Sequence, residues 1–274
     1  MQSDLIFDIG LHRGEDSAYY LAKGFRVVAF EADPDLARAA RRQFAAAIAA
    51  GRFTLVEGAI CESADDQPVV FYKNVDRTTW GTLYPDRARI NAEVGKRSVE
   101  VKVAKVDLSL CIAAHGTPFY AKTDIEGADA IALKSILSQE VKPRFLSWES
   151  DKLSLDAVAA ELDQTRAAGY LEFQVVQQMF IPGRRIVAST LTGGEVPFRF
   201  ADGASGPFGD ELKGPWLDRD AALLRYREIF RDYARWGDRS TMRRLLTEKL
   251  LDRISRLTRR ALPGWYDTHA RWTG

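Results

Sequence analysis

The sequence predicts an α/β protein, a doubly wound and mostly parallel sheet followed by a helical C-terminal extension. Three observations carry this. Short apolar runs recur as far as residue 150, several of them ending at a glycine or an acid, as strands buried on both faces of a parallel sheet do. Stretches with helical character lie between them, with Gly24, Gly51 and Gly169 placed to end three helices. From residue 193 the pattern changes to a Gly- and Pro-rich stretch and then two amphipathic helices. The expected organisation is therefore a core at 1–192 and an extension at 193–274, which either covers an acceptor site or makes an oligomer contact.

Leu5 to Ile9 is the first apolar run, and Gly10 stops it where the chain must turn. A helix is expected from about Glu15 to Lys23, and Arg26 to Phe30 forms the next strand, which completes one right-handed crossover unit. Pro34 suits the first turn of a second helix, rich in Ala and Arg, running from Asp35 to Ala50. Phe53 to Val56 is a third strand. The alternation then breaks: Val69 to Tyr72 reads as a strand, and residues 74–85 as a long polar and aromatic loop able to wall a pocket with Trp80 and Tyr84. Val99 to Val106 alternates, a short helix leads towards His115, and Phe119 to Gly127 is a strand that ends in charge. A helix at about 129–137, a strand at 143–149, an amphipathic helix at 153–168 and strands at 173–178 and 185–188 follow. Asp202 to Gly209 is the most loop-like stretch, read as a connection or as a lid or phosphate-binding loop. Helices are expected at 218–236 and 242–262, the second basic, with a solvated face or a surface for a membrane or partner. Trp265 to His269 reads either as a cluster folding back over an acceptor or as a frayed tail.

With 39 Lys and Arg against 38 Asp and Glu, the net charge of +1 gives no global electrostatic case for a nucleic-acid partner. Two cysteines, Cys61 and Cys111, show no metal-site or disulfide spacing. The first strand begins almost at Met1 and no apolar run is long enough to cross a bilayer, so a cytoplasmic protein without an integral membrane segment is expected.

The chemistry gathers at the ends of strands. Glu31 closes the second strand where a ribose would lie, and a carboxylate there accepts hydrogen bonds from both ribose hydroxyls. A dinucleotide prefers G-x-G-x-x-G, but this turn is Asp8-x-Gly10-x-x-x-Gly14. An aspartate entering the turn suits a cationic amino-acid tail, as in S-adenosylmethionine, rather than a diphosphate. Asp8, Gly10, Gly14, Glu31 and Ala32 are thus candidate cofactor residues, and Glu57 and Ala59 border the expected adenine position. Lys122, Asp124 and Glu126 alternate along one strand and share a side while it stays regular, and Glu149 ends the next strand. Asp124, Glu126 and Glu149 are candidate bases. Repulsion among them raises a carboxyl pKa, Lys122 opposes the rise, and the same oxygens suit a divalent ion such as magnesium, though nothing in the sequence requires one.

Phe7-Asp8-Ile9-Gly10 with Gly14, Val28 through Pro34, Val106-Asp107-Leu108, Lys122 through Asp129, and Pro143 through Glu149 occur in the order that resembles the FkbM-type family of S-adenosylmethionine-dependent methyltransferases. The resemblance covers residues 5–150. It implies the class I methyltransferase fold, a parallel sheet with one reversed strand, and O-methyl transfer to a hydroxyl of a sugar, glycan or secondary metabolite. It also implies that Asp8, Gly10 and Glu31 hold the cofactor, with Asp124 a further candidate for it, and that Lys122, Asp124 and Glu126 sit at the reaction centre. Leu11 and His12 depart from the family's small residue and asparagine, which leaves His12 to contact the cofactor or substrate differently or to pack on the turn. Acceptor choice is expected beyond residue 190, and a homodimer through the C-terminal helices fits their amphipathic pattern. Two other readings stay open: an NAD-dependent oxidoreductase, and a non-catalytic module binding a partner through the basic helices.

Overall fold

The computed structural model describes residues 3–62, 67–151, 153–236 and 265–273. β1 (Leu5–Ile9), α1 (Glu15–Ala22) and β2 (Arg26–Glu31) form the expected crossover unit. α2 (Pro34–Gln43) is capped by the Asp33 carboxylate and has Pro34 in its first turn. The expected long helix breaks at Phe44, so that α3 (Ala45–Ala49) is a separate short piece before β3 (Phe53–Glu57).

β4 (Ala59–Ile60), β5 (Val69–Asn74), α4 (Pro85–Glu93), β6 (Ser98–Val103) and β7 (Lys105–Val106) make an excursion from the sheet. β5 and β6 pair as an antiparallel ribbon, and residues 78–80 form a single 3-10 turn beside it. α5 (Leu108–His115), β8 (Tyr120–Thr123), α6 (Asp129–Leu137), β9 (Phe145–Glu149), α7 (Leu155–Ala167) and β10 (Tyr170–Gln177) restore the alternation. β11 (Arg185–Ser189) and β12 (Glu195–Arg199) are a separate hairpin, and α8 (Arg219–Trp236) precedes the last strand, β13 (Tyr266–Trp272).

The main sheet has seven strands in the order β10-β13-β9-β8-β1-β2-β3. β13 runs antiparallel to both of its neighbours, while the pairings among β9, β8, β1, β2 and β3 are all parallel. This is the mostly parallel α/β sheet with one reversed strand that the sequence predicted. Apolar residues of α5, α6, α7 and α8 cover one face, and those of α1, α2, α3 and the β11–β12 hairpin cover the other.

Trp265 to His269 is corrected by this topology. Residues 266–269 are neither a tail nor a cover: they are buried within β13, between β9 and β10. The sheet therefore draws on residues from both sides of position 192. The basic helix expected at 242–262 lies outside the described residues. Among the described residues, no helix is long and apolar enough to cross a membrane.

Candidate functional site

Strand order reverses between β1 and its neighbours β8 and β2, and a crevice opens there beyond the strands' carboxyl ends. Its inner rim is the turn after β1. Gly10 has φ +92°, and a Cβ on it would stand 1.9 Å from the carbonyl oxygen of Asp124, so only glycine fits.

Every backbone amide of this turn is satisfied by the protein itself. Gly10 and Leu11 both donate to the Phe30 carbonyl, and Gly14 donates to Leu11 O. His12 N donates to Glu31 Oε2 at 2.8 Å, and Arg13 N to Glu15 Oε2 at 3.0 Å. His12 is left-handed at φ 53°. Its ring joins Glu15 Oε1 at 3.0 Å to Thr78 Oγ1 at 2.8 Å, and so ties the turn to the excursion.

Glu31 sits at the end of β2 with one carboxylate oxygen on His12 N and the other on Asp33 N, each at 2.8 Å. Burial pushes its carboxyl up to about 7, against the lowering effect of those two amides. Lys73 of β5 reaches back to Asp33 at 3.1 Å and pairs also with Asp35, which fastens the ribbon over this end of the crevice. Phe30, Ala32, Leu36, Ala59, Ile60, Phe71 and Leu83 make that end apolar.

Below the turn lies a buried ionic group. Lys122 Nζ stands 3.2 Å from Asp16 Oδ2, 3.5 Å from Asp8 Oδ1 and 3.3 Å from the Gly10 carbonyl. Ser17 Oγ donates to the other oxygen of Asp8 at 2.6 Å. Burial raises the Asp8 carboxyl to about 6, with the Lys122 ammonium pulling it down. Asp16 in turn accepts the amides of Ser205 and Gly206. That corrects the phosphate-loop reading of residues 202–209: two of its amides already serve a carboxylate, and residues 204–209 are buried as packing.

The candidate residues divide accordingly. Gly10, His12, Glu31, Ala32, Ala59, Lys122, Asp124 and Glu126 line the crevice. Asp8 is buried beneath it, and Gly14 caps α1 against the Phe44 ring. Glu57 is not brought to the crevice wall: it ends an edge strand, and its carboxylate pairs with Arg41 Nε at 2.5 Å. Lys122, Asp124 and Glu126 do not continue one regular strand, because β8 stops at Thr123 and Glu126 turns left-handed at φ 49°. Glu149 lines a second cavity next to the first, together with Trp80 and Asp129, and Glu126 borders both. Burial, with the charges of Asp124 and Glu149 adding to it, raises the Asp129 carboxyl to about 7. Tyr84 is exposed and lines neither cavity.

Sequence reasoning missed Asp16, Lys73, Phe71 and Thr78. The DS pair at 16–17 inside a helix pattern was a usable signal, since Asp and Ser are poor interior helix residues. The other three act through contacts with residues far away in the chain. Among the described residues, no group of three or more His, Cys, Asp or Glu side chains is arranged to hold a metal ion.

A family model described as the methyltransferase FkbM domain matches residues 8–172. Solved structures to which the chain shows similarity include precorrin-6y C5,15-methyltransferase from Geobacter metallireducens, at 13% identity and TM-score 0.36 over 73% of this chain and 77% of that one. The O-methyltransferase from Bacillus cereus in complex with SAH has 14% identity and TM-score 0.35, over 64% and 68%. The O-methyltransferase TomG from Streptomyces achromogenes has 14% identity and TM-score 0.32, over 73% and 74%. No curated protein matches the chain.

Proposed function

The chain belongs to the FkbM methyltransferase family and has the class I methyltransferase fold, and from that premise we propose that it is an S-adenosylmethionine-dependent O-methyltransferase acting on a hydroxyl of a sugar, glycan or secondary metabolite. One observation carries the cofactor assignment. All five amides from Gly10 to Gly14 are taken up internally, and Glu15 and Asp16 occupy the start of α1. A diphosphate would find no free amide in that turn and would meet carboxylates at the helix N-terminus, where it needs donors. A ligand with a cationic centre meets the opposite balance. This weighs against a nicotinamide dinucleotide and fits a sulfonium with an ammonium tail.

In this reading Glu31 receives the ribose hydroxyls, on a carboxylate that two backbone amides already orient. Ala32, Ala59, Ile60, Phe71 and Leu83 pack on the base. Asp124, Glu15 and the turn at Gly10 to His12 hold the amino-acid end. Asp16 and Lys122, at the floor of the crevice, and Asp8 beneath it fix the turn's position.

When bound, S-adenosylmethionine supplies a methyl group already activated for displacement. That methyl would pass to the acceptor hydroxyl oxygen, with the sulfur keeping the electron pair of the broken S–CH3 bond. Glu126, which borders both cavities, takes the hydroxyl proton. Its left-handed backbone is held by Thr82 Oγ1, which donates to the Glu126 carbonyl at 3.0 Å. Calorimetric titration with S-adenosylmethionine, S-adenosylhomocysteine and NAD, beside the Glu31→Ala variant, tests the assignment. Binding of the first two, lost in the variant, supports it; binding of NAD alone refutes it.

A further inference from the structure

Residues 79–83 lie between the two cavities as a partition. Thr79, Gly81 and Leu83 line the first cavity, whereas Trp80 and Thr82 line the second. Tyr72 and Thr82 exchange backbone hydrogen bonds at 2.8 and 3.1 Å, which holds the partition to β5. The Thr82 hydroxyl holds it to Glu126. Asn91 Nδ2 of α4 donates to the Trp80 carbonyl at 3.3 Å and supports it from outside. The rest of the second cavity's lining is acidic: Glu126, Asp129, Glu149, Asp151 and Glu161 stand with one lining guanidinium, Arg87, itself 3.9 Å from Glu126.

Resting on the methyltransferase reading above, we propose that the second cavity is the acceptor site, that Trp80 is its specificity-determining residue, and that the acceptor is a polyhydroxylated ring without negative charge near its reacting hydroxyl. The argument is positional first. A group transferred at the edge of the first cavity needs an acceptor within bonding distance, and the cavity across the 79–83 partition meets the first at Glu126. The Arg77 guanidinium lies over one face of the indole, 4.8 Å from its centre, which leaves the opposite face for the C–H side of a ring, while the carboxylates accept its hydroxyls. Glu126, Glu149 and Asp151 repel an anion, because like charges in a partly desolvated wall oppose each other more strongly than in water, and Asp129 and Glu161, whose carboxyls burial pushes up to about 7, add to this as the pH rises. Acceptor choice thus resides in residues 80–91 and in the turns after β8 and β9, rather than beyond residue 190.

The test is saturation-transfer NMR on the full chain loaded with S-adenosylhomocysteine, with methyl glucoside, glucosamine and glucuronate as probes. Trp80→Ala removes the platform, and Ala130→Trp fills the cavity from α6. The neutral and aminated rings are expected to bind and glucuronate not to; each substitution lowers ring affinity about tenfold or more. Calorimetric affinity for S-adenosylhomocysteine stays within about twofold in both variants, since neither residue lines the first cavity. Glucuronate binding as well as the neutral ring, ring binding that survives both substitutions, or no ring binding to the loaded protein each overturns the proposal. Failure of S-adenosylhomocysteine to bind the unmodified chain instead refutes the cofactor reading, so the two failures are distinguishable.

Discussion

Replacing Lys122 by Met tests whether this lysine positions the glycine turn or takes part in the reaction. Lys122, Asp8 and Asp16 are 4%, 0% and 3% exposed, and the ammonium lies 3.5 and 3.2 Å from the two carboxylates. Methionine keeps most of the side-chain volume, so lost packing should cost less than about 1.5 kcal/mol. Removing one partner of a buried ionic group costs about 3–5 kcal/mol, because the remaining charges stay desolvated. The cost depends on pH with a definite sign. Burial already raises both carboxyls above their ordinary values, and loss of Lys122 raises them further. A carboxyl raised on folding contributes stability at low pH that is lost as the pH rises through its folded pKa. Urea unfolding should therefore separate variant from wild type by about 1.5 kcal/mol or less near pH 4, and by about 3–5 kcal/mol near pH 8. A gap that is the same at both pH values, or under about 1 kcal/mol near pH 8, refutes the ionic account. Loss of methyl transfer with full stability near pH 8 would put Lys122 at the reaction centre instead.

In Glu31→Ala, loss of the ribose acceptor should weaken S-adenosylmethionine about a hundredfold by calorimetry, about 1.4 kcal/mol for each of two hydrogen bonds. In wild type the affinity should rise between about pH 6 and about pH 8 as the carboxyl, pushed up to about 7, ionises. Stability without cofactor runs the other way over that range, and melting temperatures recorded across it check the sign. His269 is lowered by burial from 6.5 to about 3; its contribution is present above 6.5 and lost as the pH falls. His269→Phe should thus gain about 2 kcal/mol relative to wild type on going from about pH 8 to about pH 5, and an equal ΔΔG at both would count against it. Gly10→Ala forces a Cβ to within 1.9 Å of the Asp124 carbonyl at φ +92°. The backbone alone costs about 1–2 kcal/mol, and the displaced turn should abolish S-adenosylhomocysteine binding; unaltered binding would show that the turn tolerates displacement.

The first crossover unit was legible because its signals are local. Apolar runs, a glycine where φ must be positive, and an acid at the end of the second strand lie within about thirty residues of one another. The same holds for α6, α7 and α8, whose patterns and stops are continuous in the chain. Glu31 was found for that reason, since its amide partners His12 and Asp33 belong to the same unit. Glu57 stands off the crevice wall because the strand end it occupies is a sheet edge, and strand order is not written in any one strand. β13 was missed for a similar reason. Asp267, Thr268 and His269 do not look like a buried strand, and their surroundings exist only once β9 and β10, some ninety residues or more earlier, stand on either side. The sequence by itself determined the fold class, the glycine turn and the acids that end the strands, since each follows from short-range sterics and hydrophobic periodicity. Only the tertiary structure decided that Lys122 is held by two buried carboxylates, that the loop at 202–209 is packing, and that residues 79–83 divide two cavities. Those facts depend on which distant segments share a face, and burial and charge act through space rather than along the chain.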